Sequence, residues 1–559
     1  MADSKKTSIA HHEQLSAFDV HETGESRECI LDQKEPQNTR SPFLPIMTLF
    51  RRKQQPKLCD IATQPSVFDD PEGARYFYPT ENYENIHRFD PEARWTWAEE
   101  LALINKLDWN ISIWAWFAFF VMCLDFSNLS QANTDDFHLG NIIYQLGYVC
   151  SALPSQLMSQ RVGHHRWIPT VMCLWGIVET SQFWMDGRTA FLICRALLGL
   201  LEGSFSCVAT MYLSYFFKGS ELPCRLALFY TNIKLALTAG PLIAYGTLRL
   251  RGYQGKEGWR WLFLIEGAFS IAIGIWSWLA VVPSPTQTKS WYRPNGWFSE
   301  REEVIAVNRI LRDDPSKGDM NSRQGIDFKG LWESLCDFDI WPIYIASLVY
   351  KIPAGPPTQY LTLILRSLEF DTFNSNLLSI PAQCVGIFTM IIFTYLSERW
   401  SERSLIGVFA QVWILPNLIA LAVLPDHTSP WARYAIVMIL LSYPIAEGMQ
   451  VAWCSRNSNS VRARAVSVAL YTTFERTDAV VYSNIYRSDD KPYYHRGNKQ
   501  LAIICAANIV IYLLIKLYYT WRNKQRDNEW NAMTREEQLR YLETTKDQGS
   551  KRKDFRFVH

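Results

Sequence analysis

Twelve apolar runs, each about 20 residues long, fill most of the sequence between residues 108 and 520. A helix of this length crosses the hydrocarbon core of a bilayer, because an α-helix rises about 1.5 Å per residue. The pattern therefore predicts an all-α membrane protein with twelve transmembrane helices in two six-helix halves. We number the runs as spans 1 to 12; they lie at 108–129, 139–159, 167–185, 189–214, 224–247 and 260–283, and then at 339–364, 372–396, 404–424, 430–453, 464–486 and 499–520.

Bulk composition hides this pattern and excludes several function classes. The mean hydropathy is −0.09 because the charges are concentrated outside the spans. A net charge of +1 gives no basic surface for nucleic acid. The twelve cysteines form no Cys-x-x-Cys pair or Cys/His ligand spacing, so we expect neither a metal site nor a cofactor. No P-loop and no Ser/His/Asp arrangement stands out, which argues against an enzyme and against ATP-driven pumping.

The spans and the polar segments define five regions. We predict a largely disordered N-terminal tail over 1–105, a first bundle over 106–283, a linker over 284–338, a second bundle over 339–520 and a C-terminal tail over 521–559 that is disordered as well. Ser299 followed by Glu302 is a capping box that predicts an amphipathic helix in the linker. Basic residues concentrate in the loops after spans 2, 4, 8 and 10, which predicts that these loops, the linker and both termini are cytoplasmic.

Span 4 carries a charged pair, Arg195 and Glu202. Seven residues make almost two helical turns, so both side chains lie on one side of the helix. Gly199 and Gly203 continue that side and would let a neighbouring helix approach closely. An ion pair that only bridges helices is the structural alternative, but charges inside a membrane favour a functional role.

Further charges lie within other spans. Asp125 stands near the end of span 1, where a buried carboxyl would suit a proton carrier; the structural alternative is a carboxylate that reaches water at the outer mouth. A lysine in hydrocarbon requires an anion, and a substrate could supply it to Lys234 or Lys351. Four prolines and glycines after Lys351 predict a kinked or unwound span 7. The remaining charges within the spans are Glu179, Glu266, Glu447, Glu475, Arg476 and Asp478.

Several strings in the sequence resemble the major facilitator superfamily, and in particular the fungal allantoate-permease-like branch of its anion:cation symporters. The resemblance covers roughly residues 75–559. The strings that carry it are LPSQLMSQRVGHHRWIPT (153–170), CRALLGLLEGSF (194–205), GWRWLFLIEG (258–267), the linker segment 282–320 and QVAWCSRNSNSVRARAVSVALY (450–471).

The resemblance implies proton-coupled uptake of a small organic anion, of the allantoate, ureidosuccinate or vitamin-acid class, at the plasma membrane. It implies that Asp125 and Glu202 carry the proton and that Arg195 binds the substrate. The sequence departs from the family at Phe126, where members have an arginine, and in the connection 131–141, which is about a dozen residues shorter.

The leading hypothesis is a monomeric symporter whose two halves move about a central site. In it, Lys351 and Lys234 are further substrate contacts, and Arg161, Arg166, Glu398 and Arg399 form an inner gate by charge pairing between the halves. Glu475, Arg476 and Asp478 are additional intramembrane charges. The alternative hypothesis, favoured by Phe126 and the short connection, is a transporter-like sensor or an inactive paralogue.

Overall fold

The computed structural model describes residues 57–128, 137–250, 252–319, 328–361, 372–458, 460–491, 493–545, 547 and 549–559. The predicted short connection, 131–141, lies mostly outside these residues, and so does the side chain of Phe126. The described part of the chain contains helices and short turns but no β-strand longer than an isolated bridge.

The first half begins with a long interrupted helix. Helix α1 (Trp97–Leu107) continues through a π-helical turn (Asp108–Ser112) into α2 (Ile113–Asn128), which is span 1. A capping box between Thr96 and Glu99 fixes the start of α1. Spans 2 to 6 follow as α3 (Phe137–Val162), α4 (His164–Ser181), α5 (Arg188–Phe216), α6 (Leu222–Leu248) and α7 (Gly258–Ala280).

The second half follows the linker helices α8 (Glu300–Asp313) and α9 (Phe328–Leu335). Two of its spans are broken within the bundle. Span 7 consists of α10 (Trp341–Tyr350) and α11 (Gly355–Gln359), and span 10 consists of α14 (Pro430–Leu441) and α15 (Glu447–Asn457). Spans 8, 9, 11 and 12 are the single helices α12 (Thr372–Trp400), α13 (Ser404–Val423), α16 (Val461–Tyr482) and α17 (His495–Asn531). Helix α18 (Arg535–Thr544) lies beyond the spans.

The twelve predicted spans therefore each correspond to a helix or to a pair of helices. Within the described residues, six helical stretches are long and apolar enough to cross a membrane by length and composition alone. The others are interrupted, or they carry the polar residues that face the interior of the bundle, and this lowers their mean hydropathy.

Close approach of helices explains the glycines of span 4. A Cβ atom added to Gly199 would lie 2.2 Å from the backbone oxygen of Tyr144, and one added to Gly203 would lie 2.6 Å from that of Tyr148. The prediction that these glycines admit a neighbouring helix is confirmed, and that helix is α3. The same contact places Tyr144 beside Glu202 and Tyr148 beside Ser206.

The linker helix α8 has the predicted capping box, in which Ser299 accepts from Glu302 N–H. Its partners are the N-terminal segment and the loop after span 4. Arg88 pairs with Glu303 at 2.9 Å, Lys106 pairs with Glu302 at 2.6 Å, and Arg309 pairs with Glu221. The prediction of a largely disordered tail is therefore wrong for 57–105, which folds against α8 through charges that are far apart in the sequence.

The C-terminal tail is also folded where the structure describes it. Helix α17 continues to Asn531, well beyond the predicted end of span 12. The last residues return to the second half, where Trp453 donates to the carbonyl of Val558 at 2.7 Å and Arg403 N–H donates to the carbonyl of His559 at 3.0 Å.

Candidate translocation site

Two helix breaks lie side by side in the second half. Span 7 is unwound at residues 351–354, as its prolines predict, and span 10 is unwound at residues 442–446. Tyr350 joins the breaks, because its hydroxyl donates to the carbonyl of Pro444 at 2.8 Å and accepts from Ala446 N–H at 2.9 Å. The breaks place Lys351 and Glu447 next to each other. Sequence reasoning missed the break in span 10, for which Pro444 was the available signal.

Lys351 is the centre of the charges in the second half. It forms ion pairs with Glu447 and with Glu475. Asp478 lies one helical turn beyond Glu475 on α16 and interacts electrostatically with the same lysine. The anions that Lys351 requires are therefore supplied by the protein, and this differs from the prediction of a substrate at that lysine.

Arg476 follows Glu475 on the same helix and is half-buried. Its guanidinium carbon lies 4.6 Å from the centroid of the Tyr148 ring, which belongs to span 2 in the first half. Tyr148 is buried, and its hydroxyl shares a hydrogen bond with Ser206 of span 4. Arg476 thus lies at what we call the half interface, where residues of spans 1–6 meet residues of spans 7–12.

The first half holds a cluster of buried carboxyl groups. Glu202 accepts a hydrogen bond of 2.5 Å from the hydroxyl of Tyr144, and Glu179 accepts one of 2.9 Å from Ser270. Asp125 lies at hydrogen-bonding distance from Glu202, and no donor among the described residues contacts either of its oxygens. Glu179 is within electrostatic range of Asp125, Glu202 and Glu266. We call these four acids the carboxyl cluster.

Arg195 lies at the edge of the carboxyl cluster and contacts only the first half among the described residues. It donates to the side-chain oxygen of Gln182 at 2.7 Å, and its guanidinium packs on the rings of Phe191 and Phe263. It also interacts electrostatically with Glu202. The predicted alignment of Arg195 with Glu202 places both in one buried region, but Arg195 does not reach the half interface.

Lys234 does reach the half interface. Its ammonium donates to the backbone carbonyl of Leu441 at 3.0 Å and lies 5.3 Å from the centroid of the Tyr443 ring. Leu441 is the last residue of α14, so the lysine contacts a carbonyl that the break in span 10 leaves unpaired. Lys234 is buried, and the described residues give it no carboxylate partner within a salt bridge.

The predicted inner gate is not assembled by the described residues. Arg161 and Arg166 are exposed, Glu398 pairs with Arg403 at 2.7 Å, and Arg399 donates to its neighbour Tyr395. None of these contacts joins the two halves.

Other charges join the halves at the end of the bundle that carries α8, which we call the linker face. Arg464, at the start of span 11, pairs with Asp314 of the linker at 2.7 Å. Lys317 donates to the carbonyls of Ser214 and Phe217, at the end of span 4, at 2.8 and 3.0 Å. Residues 314–317 therefore connect the second half to the first.

Arg464 and Lys317 control the charge of this connection. Burial raises the pKa of Asp314, but Arg464 and then Lys317 outweigh it and lower the pKa to about 2. Burial, followed by repulsion from Arg464, lowers the pKa of Lys317 to about 8. Asp314 is thus charged at any physiological pH.

The geometry defines a class of protein. Two helical halves enclose buried charges at their contact, and within the described residues no group of three or more His, Cys, Asp or Glu side chains is arranged to hold a metal ion. Ion pairs, aromatic rings and broken helices inside a multi-pass bundle are features of a transporter rather than of an enzyme.

Comparison with known proteins identifies the family. Residues 111–476 match the family model of the Major Facilitator Superfamily, and the chain belongs to that superfamily. It is 40% identical over 508 residues to the uncharacterized transporter YIL166C of Saccharomyces cerevisiae, covering 88% of this chain and 94% of the relative. It is 25% identical over 460 residues to the major facilitator-type transporter hxnP of Emericella nidulans, covering 78% of this chain and 88% of that one.

A solved structure shares the fold. The proton:xylose symporter XylE, bound to 6-bromo-6-deoxy-D-glucose, superposes with a TM-score of 0.56 at 13% sequence identity and covers 73% of this chain and 95% of its own. This likeness shows the fold, and the family match makes the chain a membrane transporter of the Major Facilitator Superfamily.

Proposed function

We propose that this transporter carries a small organic anion into the cell together with a proton, by alternating access, and that it belongs to the allantoate-permease-like branch of the anion:cation symporters. The observation that carries the proposal is the carboxyl cluster. Inside the first half, Glu179 lies within electrostatic range of the other three acids, and Asp125 lies at hydrogen-bonding distance from Glu202. Closely spaced carboxylates in a buried site cannot all be ionised, so the cluster must hold protons.

The geometry of Asp125 and Glu202 supports one place for the proton in this cluster. Asp125 and Glu202 lie at hydrogen-bonding distance from each other, and no described donor contacts the oxygens of Asp125. Two carboxyl groups form a hydrogen bond only when one of them is protonated, because an ionised carboxylate is an acceptor alone. We therefore assign the transported proton to the Asp125 and Glu202 pair, with Tyr144 as the neutral donor that stabilises Glu202 when the proton leaves.

Cations support the anionic class of the substrate. Lys234, Lys351 and Arg476 lie on or beside the half interface, on helices of both halves. Lys351 is held by two carboxylates, so we assign it to positioning the broken helices, whereas Lys234 and Arg476 remain available to an anion. Arg195 supports the proton site, because its charge lies near Glu202.

Movement of the two halves requires contacts that separate and re-form. Residues 314–317 bridge the halves at the linker face, and we propose that this connection, rather than Arg161, Arg166, Glu398 and Arg399, opens and closes the cytoplasmic side. With it we propose cytoplasmic termini, a plasma-membrane location and a monomeric transport unit.

Uptake of radiolabelled acids tests the proposal. Cells that express the full chain are offered allantoate, ureidosuccinate, pantothenate, nicotinate and biotin at an acidic and a neutral pH, with and without a protonophore. We expect one acid to enter faster at acidic pH and to lose its accumulation with the protonophore. Absence of uptake of all five acids by protein that reaches the membrane would contradict the proposal and favour a sensor or an inactive paralogue.

A further inference from the structure

Arg476 differs from the neighbouring cations in what surrounds it. Lys351 has two carboxylate partners, Arg195 donates to Gln182, and Lys234 donates to a backbone carbonyl. Arg476, in contrast, forms no salt bridge or hydrogen bond with a described residue, and its buried Nε atom is without an acceptor. A guanidinium inside a membrane protein that lacks an acceptor carries a large desolvation cost.

The aromatic contact leaves the donors of Arg476 available. A ring under the plane of a guanidinium stabilises the charge through its π-face, and it does not use the N–H groups, which point outward in the guanidinium plane. Tyr148 provides that face at 4.6 Å. The arrangement therefore fixes the orientation of the guanidinium while its hydrogen-bonding edge stays free.

Three carboxylates lie within electrostatic range of Arg476 without taking up this edge. Glu447 and Glu475 are ion-paired with Lys351, and neither they nor Asp478 form a salt bridge with Arg476. Ser206 pairs with the Tyr148 hydroxyl, so the ring too is held in position. The site is thus a positioned guanidinium, without a salt-bridge partner among the described residues, at the contact between the two halves.

We propose that Arg476 is the principal anion-binding residue of this transporter and that its guanidinium, packed on the Tyr148 ring, binds the carboxylate of the substrate through its free N–H edge. This assignment rests on the proposed function and deepens it. A planar guanidinium matches a carboxylate through two parallel N–H···O bonds, which an ammonium cannot reproduce. Because Arg476 belongs to the second half and packs on Tyr148 of the first, a carboxylate bound to it would lie at the half interface.

The test compares acids with their uncharged analogues. Full-length wild type and the variants Arg476→Gln, Arg476→Lys and Arg462→Gln are assayed for uptake of the acid that wild type transports, and for inhibition by its uncharged amide or alcohol, such as nicotinamide for nicotinate or pantothenol for pantothenate. Arg462 is exposed on the same helix and serves as the matched control. The amount of each protein in the membrane is measured in parallel.

We expect Arg476→Gln to raise the KM for the acid at least about tenfold, with about the wild-type inhibition by the uncharged analogue, so that discrimination between them is lost. Arg476→Lys should raise the KM less, and Arg462→Gln should leave it unchanged. If Arg476→Gln misfolds, it will bind neither the acid nor the uncharged analogue. The test then rests on Arg476→Lys, which keeps the charge. An unchanged KM for the acid in Arg476→Lys overturns the assignment, because an ammonium cannot form the two parallel hydrogen bonds of a guanidinium.

Two outcomes separate this inference from the function on which it rests. If wild type transports an acid and Arg476→Gln keeps both its KM and its preference for the acid, the assignment of Arg476 is overturned while the symporter proposal stands. If wild type transports none of the five acids, the proposed function fails and the assignment fails with it.

Discussion

The buried charges of the linker face and those in the middle of the spans are arranged differently. On the linker face, Arg225 pairs with Asp108 at 2.8 Å, Lys218 pairs with Glu100 at 2.6 Å, and Arg464 pairs with Asp314. In the middle of the spans, Lys351 is ion-paired with Glu447 and Glu475, but Asp125, Glu179 and Glu202 of the carboxyl cluster lie beside one another without a salt bridge to a described residue, and Arg476 meets an aromatic ring. The linker face is neutralised pair by pair, whereas these three acids and Arg476 are not.

This difference indicates what each region does. A buried charge with a fixed partner stabilises one arrangement of the helices and is strongly destabilising only when the partner is removed. A buried charge without a fixed partner is costly until a ligand or a proton supplies one. We therefore interpret the pairs of the linker face as stabilising the arrangement of the helices in which the connection at 314–317 is closed, and the middle of the spans as the part that exchanges ligands.

The largest effect is expected when the carboxyl cluster loses its proton site. A proton and a monoanion together carry no net charge, so the pH gradient drives their entry. A difference of one pH unit is worth ~1.4 kcal/mol per proton, which corresponds to roughly tenfold accumulation of the coupled acid. Glu202→Gln should reduce this ratio to about one, because the amide cannot bind and release the proton. Accumulation of the labelled acid, measured with and without a protonophore, checks the prediction.

The control for this experiment is Asp426→Asn, an exposed acid outside the carboxyl cluster. It should accumulate the acid as wild type does. Exchange of labelled for unlabelled acid should survive in Glu202→Gln, since exchange needs no net proton movement. Full accumulation by Glu202→Gln would remove this residue from the coupling mechanism.

A second effect is expected when a pair of the linker face is broken. The side chains of Arg225 and Asp108 are 2% and 0% exposed. Arg225→Ala should lower the free energy of unfolding by about 3–5 kcal/mol, because it leaves a buried carboxylate unpaired. Thermal unfolding of the purified protein measures the loss. Uptake per folded molecule should change little, and a specific loss of uptake at normal stability would contradict the structural role.

The linker connection should show a smaller and pH-dependent effect. Because the pKa of Asp314 is depressed to about 2, its contribution is complete above the unfolded value of 3.8 and is lost as the pH falls towards 2. The contribution is about 2 kcal/mol. Asp314→Asn should lower the unfolding temperature at neutral pH and flatten its fall between about pH 4 and pH 2. An equally steep fall in the variant would place the titrating group elsewhere.

The smallest effect is expected at the exposed basic residues of the loop after span 2. Arg161→Gln and Arg166→Gln should each change the free energy of unfolding by less than about 0.5 kcal/mol. Uptake should also stay close to wild type, since neither arginine pairs with a described residue of the second half. A severe loss of uptake would restore the predicted gate.

Patterns that act within one helix or one loop could be predicted from the sequence. The capping box at Ser299, the close approach at Gly199 and the unwinding after Lys351 each depend on neighbours a few residues away. The twelve spans depend on length and hydropathy alone, and their bounds were predicted to within a few residues for most helices.

Partners that are distant in the sequence could not be predicted. Lys351 could have met a substrate or an acid, and the choice of Glu447 and Glu475 depends on how three spans pack. Likewise, the folding of residues 57–105 depends on α8, more than 200 positions later, through pairs such as Arg88 with Glu303. The role of Arg476 required the position of Tyr148, which only the assembled bundle provides.

Proton movement coupled to an acid is the most direct test of the central claim. The purified full chain is reconstituted in vesicles that contain a pH-sensitive dye, and each of the five acids is added outside without any other driving force. We predict that one acid acidifies the vesicle interior in wild type and that Glu202→Gln abolishes the signal while exchange continues. Entry of an acid without proton movement in wild type would contradict the claim that the unpaired carboxyl cluster carries the proton.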